Sequence, residues 1–391
     1  MKVNVFCIYV LLLSGLLIVA CNNKNKDSVN VPLVSVNVEN VEDCYLEDIA
    51  KSVECCNLEL PADYYFGEIV DILPCCDSLL LFHDYYTKQI HLFTVKGKFV
   101  NVLNRKGRGP DEYIDIEAFT VNNKNNQLIV YDHQGQSLIV YSLPDLKYLC
   151  RHHIGKSLMS LASLADNLYF TISDEDEGPN SVKCDGAEIY NLDKQQFDFC
   201  GIPDSYVSIN LSYPRTISYT DGASYYISPH FYSVVYELNA VQMTPVLKLH
   251  FGRKNIPEEL WKTGDVNNFE EVVENNDYAF MPHFFLKEDS LCSFFVYNGN
   301  VEKDYLVVTE MKNHAKAKVF GKIKLKGLEV TYGIRPLGVF ANKYVCVLYP
   351  YQCSEDAKRL SPITQMIKDK LAESPDEGTP ILLFFEPEFL D

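Results

Sequence analysis

Two stretches decide the fold: "LLLFHDYYTKQIHLFTV" (residues 79–95) and "QLIVYDHQGQSLIVYSL" (residues 127–143). They align without a gap at an offset of 48 residues, which places Asp84 on Asp132. Each opens as a short apolar run ending in aspartate, makes a polar turn of five residues, and resumes as a second apolar run. Strand, turn and strand at a fixed period of about 40–50 residues are the signature of four-stranded propeller blades. Weaker copies follow at 167–197, 224–251 and 290–311, and the strands 343–350 and 380–390 make a sixth unit split by a long insertion. With 26 tyrosines and 22 phenylalanines against one tryptophan, the composition favours strands. The expected fold is therefore all-β: a six-bladed propeller of four-stranded antiparallel blades, spanning residues 31–391, with short helical insertions.

Two insertions read as helices. Ser361 suits an N-cap and Pro362 the first helical position; Ile363, Met366, Ile367 and Leu371 then form one apolar stripe. "IPEELW" (256–261) and "NNFEEVVENN" (267–276) suggest a second helical region. Both stripes are expected to pack on the propeller. Ring closure is assigned to a strand within "VPLVSVNV" (31–38), laid beside "PILLFFEP" (380–387), since closure removes exposed sheet edges.

The N-terminus reads as an address. Lys2 precedes an apolar run from Val5 to Ala20, too short for a comfortable membrane span and suited to a signal peptide. The run ends in "LIVAC", which resembles the bacterial lipoprotein signal. Ala20 is the small residue the peptidase needs, and Cys21 offers the thiol that becomes acylated. Residues 1–20 are thus expected to be a signal peptide, and residues 21–30, polar after Cys21, a flexible tether. The implied location is the bacterial cell envelope, at the outer membrane, with the membrane itself as a partner through Cys21. Of thirteen cysteines, Cys7 would leave with the signal and Cys21 be acylated; most of the odd remainder read as small apolar core residues, with room for one or two disulfides. The net charge of −18 argues against nucleic acid as a partner.

"NRKGRGPDEY" (104–113) poses the one sharp functional question. A phosphate loop needs wider glycine spacing and a following helix, whereas Pro110 removes a donor and "YIDIEAFTV" alternates like a strand. The stretch reads as a blade-to-blade turn. Arg105, Lys106 and Arg108 remain candidate contacts for an anionic ligand. His83-Asp84 and Asp132-His133 sit at aligned turns and suggest a metal or acid–base pair, but an aspartate that closes its own turn explains them as well. "DEDEGPN" (174–180) lacks the spacing of a calcium loop. No motif supports a metal in the channel, no cofactor is expected, and no catalytic residue can be assigned.

The segment from Leu79 to Val121 resembles the NHL-type repeat and, more closely, secreted six-bladed propeller lipoproteins of unknown function. In that family a blade ends in a Gly-x-Gly-Pro-x-Glu-aromatic turn, matched by Gly107, Gly109, Pro110, Glu112 and Tyr113. "LKLHFGRKNIPEEL" (247–260) and "PILLFFEP" resemble further segments of it. The resemblance implies architecture and export, and no catalytic residues. The expected function is a lipid-anchored binding scaffold for a protein partner or for an extracellular small molecule or glycan. The alternative is an envelope lyase or hydrolase at the channel mouth.

Overall fold

A computed structural model describes residues 31–62, 64–173, 187–199, 217–220, 224–227, 233–238, 243–257, 260, 269–355 and 360–388. The signal, Cys21, the tether, "DEDEGPN" and Trp261 lie outside them.

Six four-stranded antiparallel sheets form a propeller. Blade 1 comprises Ile69–Cys75, Leu79–Asp84, Gln89–Thr94 and Phe99–Leu103; blade 2 comprises Ile116–Asn122, Gln127–Asp132, Ser137–Ser142 and Tyr148–His153. Blade 3 runs Leu158–Ala165, Leu168–Ser173, Ala187–Asn191 and Gln196–Phe199, and blade 4 Ile217–Thr220, Ser224–Ile227, Val234–Leu238 and Met243–His250. Blade 5 runs Ala279–Glu288, Leu291–Asn298, Asn300–Glu310 and Lys318–Phe320. Blade 6 takes Pro336–Phe340, Lys343–Leu348 and Ile381–Pro387 from the C-terminal region and Ala50–Asn57 from the N-terminal one. The six repeat units read in the sequence are the middle strands of the six blades.

Those middle strands are apolar without alternation because both faces of a blade are covered. Leu80, Phe82 and Phe93 of blade 1 pack towards blade 6, on Val345, Leu382 and Phe384. Leu81 and Leu92, on the opposite face, meet Val130, Ile139 and Tyr141 of blade 2. Blade 2 turns Ile129, Tyr131, Leu138 and Val140 to blade 3. Each fully buried aliphatic or aromatic side chain of this kind contributes about 1.5–3 kcal/mol. The hairpins joining first and second strands close on left-handed residues that are mostly Asn or Asp: Asp77, Asn126, Asn167, Asp289 and Asn342. These side chains tolerate that conformation best among non-glycine residues.

The structure corrects one expectation. Residues 31–38 do not close the ring: Leu33–Ser35 lies parallel to the outer strand of blade 4, pairing Leu33 with Lys248. Closure falls to Ala50–Asn57, antiparallel to Ile381–Pro387 with Phe384 opposite Glu54. Val34, Val36 and Val38 are buried in the core shared by blades 4 and 5. The helix Pro362–Ala372 is capped as expected, the Ser361 hydroxyl accepting from the Thr364 N–H at 3.0 Å. Its Ile367 and Leu371 pack into the core of blades 5 and 6. A helix at Phe269–Asn275 lies within the second predicted helical region.

Candidate functional site

The inner strands of blades 1, 2 and 3 enclose a cavity of about 460 Å³. A regular strand would offer it every second side chain, yet Ile116 to Thr120 all line it, as do Met159, Ser160 and Leu161. The cause is a repeated register shift. Between Ile69 and Asp71, between Ile116 and Ala118, and between Leu158 and Ser160, one extra residue interrupts the ladder. The extra residues are Val70, Glu117 and Met159, and all three line the cavity. A bulge re-aims a side chain in this way, and it leaves no mark in a hydrophobicity pattern.

Among the described residues the polar lining is mostly acidic: Glu68, Asp71, Asp115 and Glu117 against one cation, Lys88. Lys88 sits in the left-handed conformation at φ 55°, the turn position that Gln136 takes in blade 2. Its ammonium pairs with Asp115 at 3.0 Å and lies 4.0 Å from the centre of the Tyr85 ring. His83 faces Asp71 in register and packs edge-on against Phe119, ring centres 5.7 Å apart. The residue is only 6% exposed, and its buried Nε2 has no hydrogen-bond partner among the described residues. Burial, reinforced by the Lys88 charge, pushes its pKa down to about 4, so the ring is neutral near pH 7. Blade 2 carries Tyr131 at the aligned position, with its hydroxyl donating to the Lys156 carbonyl. A histidine in blade 1 where blade 2 has a tyrosine was the sequence signal for this site.

His83 and Asp84, adjacent on a strand, point to opposite faces and do different work. Asp84 is fully buried and accepts from the backbone N–H groups of Gly67 at 2.6 Å and of Glu68, Tyr86 and Thr87 at 3.1 Å each. Burial opposes its ionisation, but the His91 contact and these N–H donors outweigh it and hold the carboxyl well below the usual range. Asp132 repeats the device on Ile114 and Asp115, at 3.1 and 3.2 Å. Asp84 therefore closes its own turn, and both aligned aspartates staple the chain leading into the inner strand. Among the described residues no three His, Cys, Asp or Glu side chains are grouped to hold a metal ion.

"NRKGRGPDEY" is a self-bonded strap beside the cavity, and none of its residues lines it. Tyr113 is fully buried, and its hydroxyl reaches the carbonyls of Lys88 (2.7 Å) and Leu103 (3.1 Å). Arg151 reaches the Pro110 carbonyl at 3.2 Å and the Glu112 carbonyl from the next blade. The strap thereby fixes the turn that presents Lys88. Arg105 is ion-paired with Asp111 of its own loop; Lys106 and Arg108 are exposed. Neither glycine takes the left-handed conformation; a Cβ at either would crowd the Glu112 carboxylate. The Glu112 carboxylate folds back to accept from the Gly109 N–H at 2.7 Å, and a Cβ on Gly107 would lie 2.0 Å from its Oε2. Gly107→Ala should therefore cost about 1–2 kcal/mol in a melting experiment, and much less in a Glu112→Ala background. Equal costs in both backgrounds would disprove the steric account. Arg108→Ala should stay within about 0.5 kcal/mol of the parent.

The nine described cysteines are free thiols. Burial raises Cys44 and Cys292 to about 12 and raises Cys55, Cys56, Cys75, Cys76, Cys150 and Cys353 as well, which removes these eight as nucleophiles near neutral pH.

The family model described as "Domain of unknown function (DUF4934)" matches residues 28–386, and the chain belongs to that family. A "Putative exported protein" from Bacteroides fragilis shares the fold, with a TM-score of 0.67 at 16% identity over 92% of this chain and 99% of that one. A member of the duf4221 family from Bacteroides vulgatus gives 0.52 at 11% identity, covering 87% of this chain and 97% of the other. No curated protein matches the chain.

Proposed function

We propose that this DUF4934 protein is an exported, lipid-anchored binding protein of the bacterial envelope, with a small molecule seated in the cavity between blades 1, 2 and 3. The observation that carries the reading is His83: a buried imidazole nitrogen left without a partner against a cavity of ligand size. An unsatisfied buried polar atom costs about 1–3 kcal/mol, which a bound ligand would relieve. The lyase or hydrolase reading is weaker on the same residue. A general base works best with a pKa near the working pH, and burial drives His83 to about 4. Export and anchoring rest on the "LIVAC" boundary before Cys21 and on the exported description of the Bacteroides fragilis relative. No helix among the described residues is long and apolar enough to cross a membrane.

Both halves of the proposal are checked on the full-length protein. Cys21→Ala should release it from the membrane fraction; unchanged fractionation with the leader intact would replace the lipid anchor by a helical one. A diverse small-molecule library should contain compounds that raise the melting temperature, and Met159→Trp, which fills the cavity, should abolish those shifts. Shifts that survive Met159→Trp would move the binding site elsewhere.

A further inference from the structure

We infer that the outer rim of blades 4 and 5 docks on anionic lipid headgroups and sets the propeller edge-on against the membrane. The inference rests on the lipid anchor proposed above and adds a second contact to it. Three segments build this rim side by side: 31–38, Met243–His250 and 312–318. On one side of the first, Leu33 pairs with Lys248 and Ser35 with His250. On the other, the Leu33 N–H donates to Asn313 Oδ1 at 3.0 Å, the His314 N–H to the Leu33 carbonyl at 2.7 Å, and the Ala317 N–H to the Ser35 carbonyl at 3.0 Å. Burial alternates along these strands. Val34, Val36, Leu247, Leu249 and Ala315 face the core of blades 4 and 5. Ser35, Lys248, His250, Lys316 and Lys318 therefore share the outward face, and all five are exposed.

The charge of this rim is opposite to that of the chain. The three segments hold four lysines, two histidines and no aspartate or glutamate, in a protein of net charge −18. Lys312 pairs with Glu310 just outside them, while Lys248 and Lys316 form no ion pair among the described residues. The next lysines along the chain, Lys322, Lys324 and Lys326, are neutralised by Glu329, Asp43 and Asp48. Salt screens exposed charges beyond about 10 Å, so the charge at the point of contact outweighs the net charge. An anionic surface admits this edge and repels the acidic remainder. Two observations select a membrane over a protein partner. None of the exposed large apolar side chains among the described residues lies in the three segments, so the rim lacks the anchors that a protein interface buries. The rim is also where the anchored end of the chain arrives: the ten residues from Cys21 to Asn30 reach at most about 35 Å. An acyl anchor beside a basic patch is the two-signal arrangement that gives stable attachment. Blades 1 and 2, which build most of the cavity wall, lie across the ring from blades 4 and 5, so this docking keeps the cavity away from the membrane.

The test uses the chain 22–391, which carries no acyl group. It keeps every described residue, and Pro32–Asp391 forms a compact unit of its own. Sedimentation compares vesicles of phosphatidylcholine alone with vesicles of equal parts phosphatidylcholine and phosphatidylglycerol. The chain should sediment with the anionic vesicles only, and should be released as salt is raised. Lys248→Glu combined with Lys316→Glu should weaken binding about tenfold or more, since each lysine near a charged surface is worth roughly a fivefold change. Lys124→Glu combined with Lys147→Glu, an equal charge change on exposed lysines of blade 2, should leave binding within about twofold. Should the rim pair fail to melt cooperatively, Lys248→Gln with Lys316→Gln carries the test, with a smaller loss expected. Absence of binding to the anionic vesicles, equal binding to the neutral ones, or a rim pair that binds no worse than the blade 2 pair would each overturn the inference. Binding to soluble polyphosphate without binding to vesicles would assign the rim to a dissolved polyanion and overturn it as well. These outcomes do not depend on Cys21, whose acylation is decided separately by the fractionation of Cys21→Ala.

Discussion

Removal of residues 380–391 is expected to leave a chain with no cooperative unfolding transition. The segment supplies the third strand of blade 6, flanked by Lys343–Leu348 on one side and Ala50–Asn57 on the other. Ile381, Leu382, Leu383 and Phe385 are fully buried and Phe384 is 6% exposed. Their burial alone is worth on the order of 10 kcal/mol, comparable with the whole stability of a typical domain. The deletion also strands Ala50–Asn57, which pairs with nothing else in its sheet. Deletion of residues 31–38 is the informative comparison. It strips three buried valines, worth about 5 kcal/mol, yet leaves the ring closed. That variant should melt cooperatively at a lower temperature. A C-terminal deletion that melts like wild type, or an N-terminal one that alone abolishes the transition, would contradict closure by Ala50–Asn57.

Asp84→Ala should cost about 3 kcal/mol in chemical denaturation, because four backbone donors lose their acceptor together and His91 loses the carboxylate 3.6 Å from its Nε2. The ionised form is what the fold holds, so the effect depends on pH. The folded carboxyl titrates below its unfolded value of about 3.9. Its contribution is therefore fully present above that value and is lost as pH falls through the depressed folded pKa. Wild type should lose stability in that acid window, and Asp84→Asn should show a shallower dependence there. A variant within about 0.5 kcal/mol of wild type at pH 7 would remove the staple role assigned to this residue.

Much of the architecture was legible because it is local. A strand covered on both faces needs an unbroken apolar run, and its turn needs a side chain that satisfies backbone donors, so "LLLFHD" and "LIVYD" announce themselves at a constant offset. The helix at Pro362–Ala372 was equally readable, since Ser361 and Pro362 act within one turn. The glycine turn was placed correctly between blades, although its glycines serve the returning Glu112 carboxylate rather than a left-handed backbone.

The closing strand and the cavity were decided by the tertiary structure. "VPLVSVNV" and "AKSVECCN" are both suited to strands, and nothing within either segment says which edge it will pair with; that depends on partners some two hundred or more residues away. The cavity depends on single-residue register shifts that aim Val70, Glu117 and Met159 inward. A shift of one residue exchanges the two faces of a strand without changing its composition. Nothing in the sequence pattern therefore marks Asp71, Asp115 and Glu117 as neighbours. Only the convergence of three blades sets them around the unpaired nitrogen of His83.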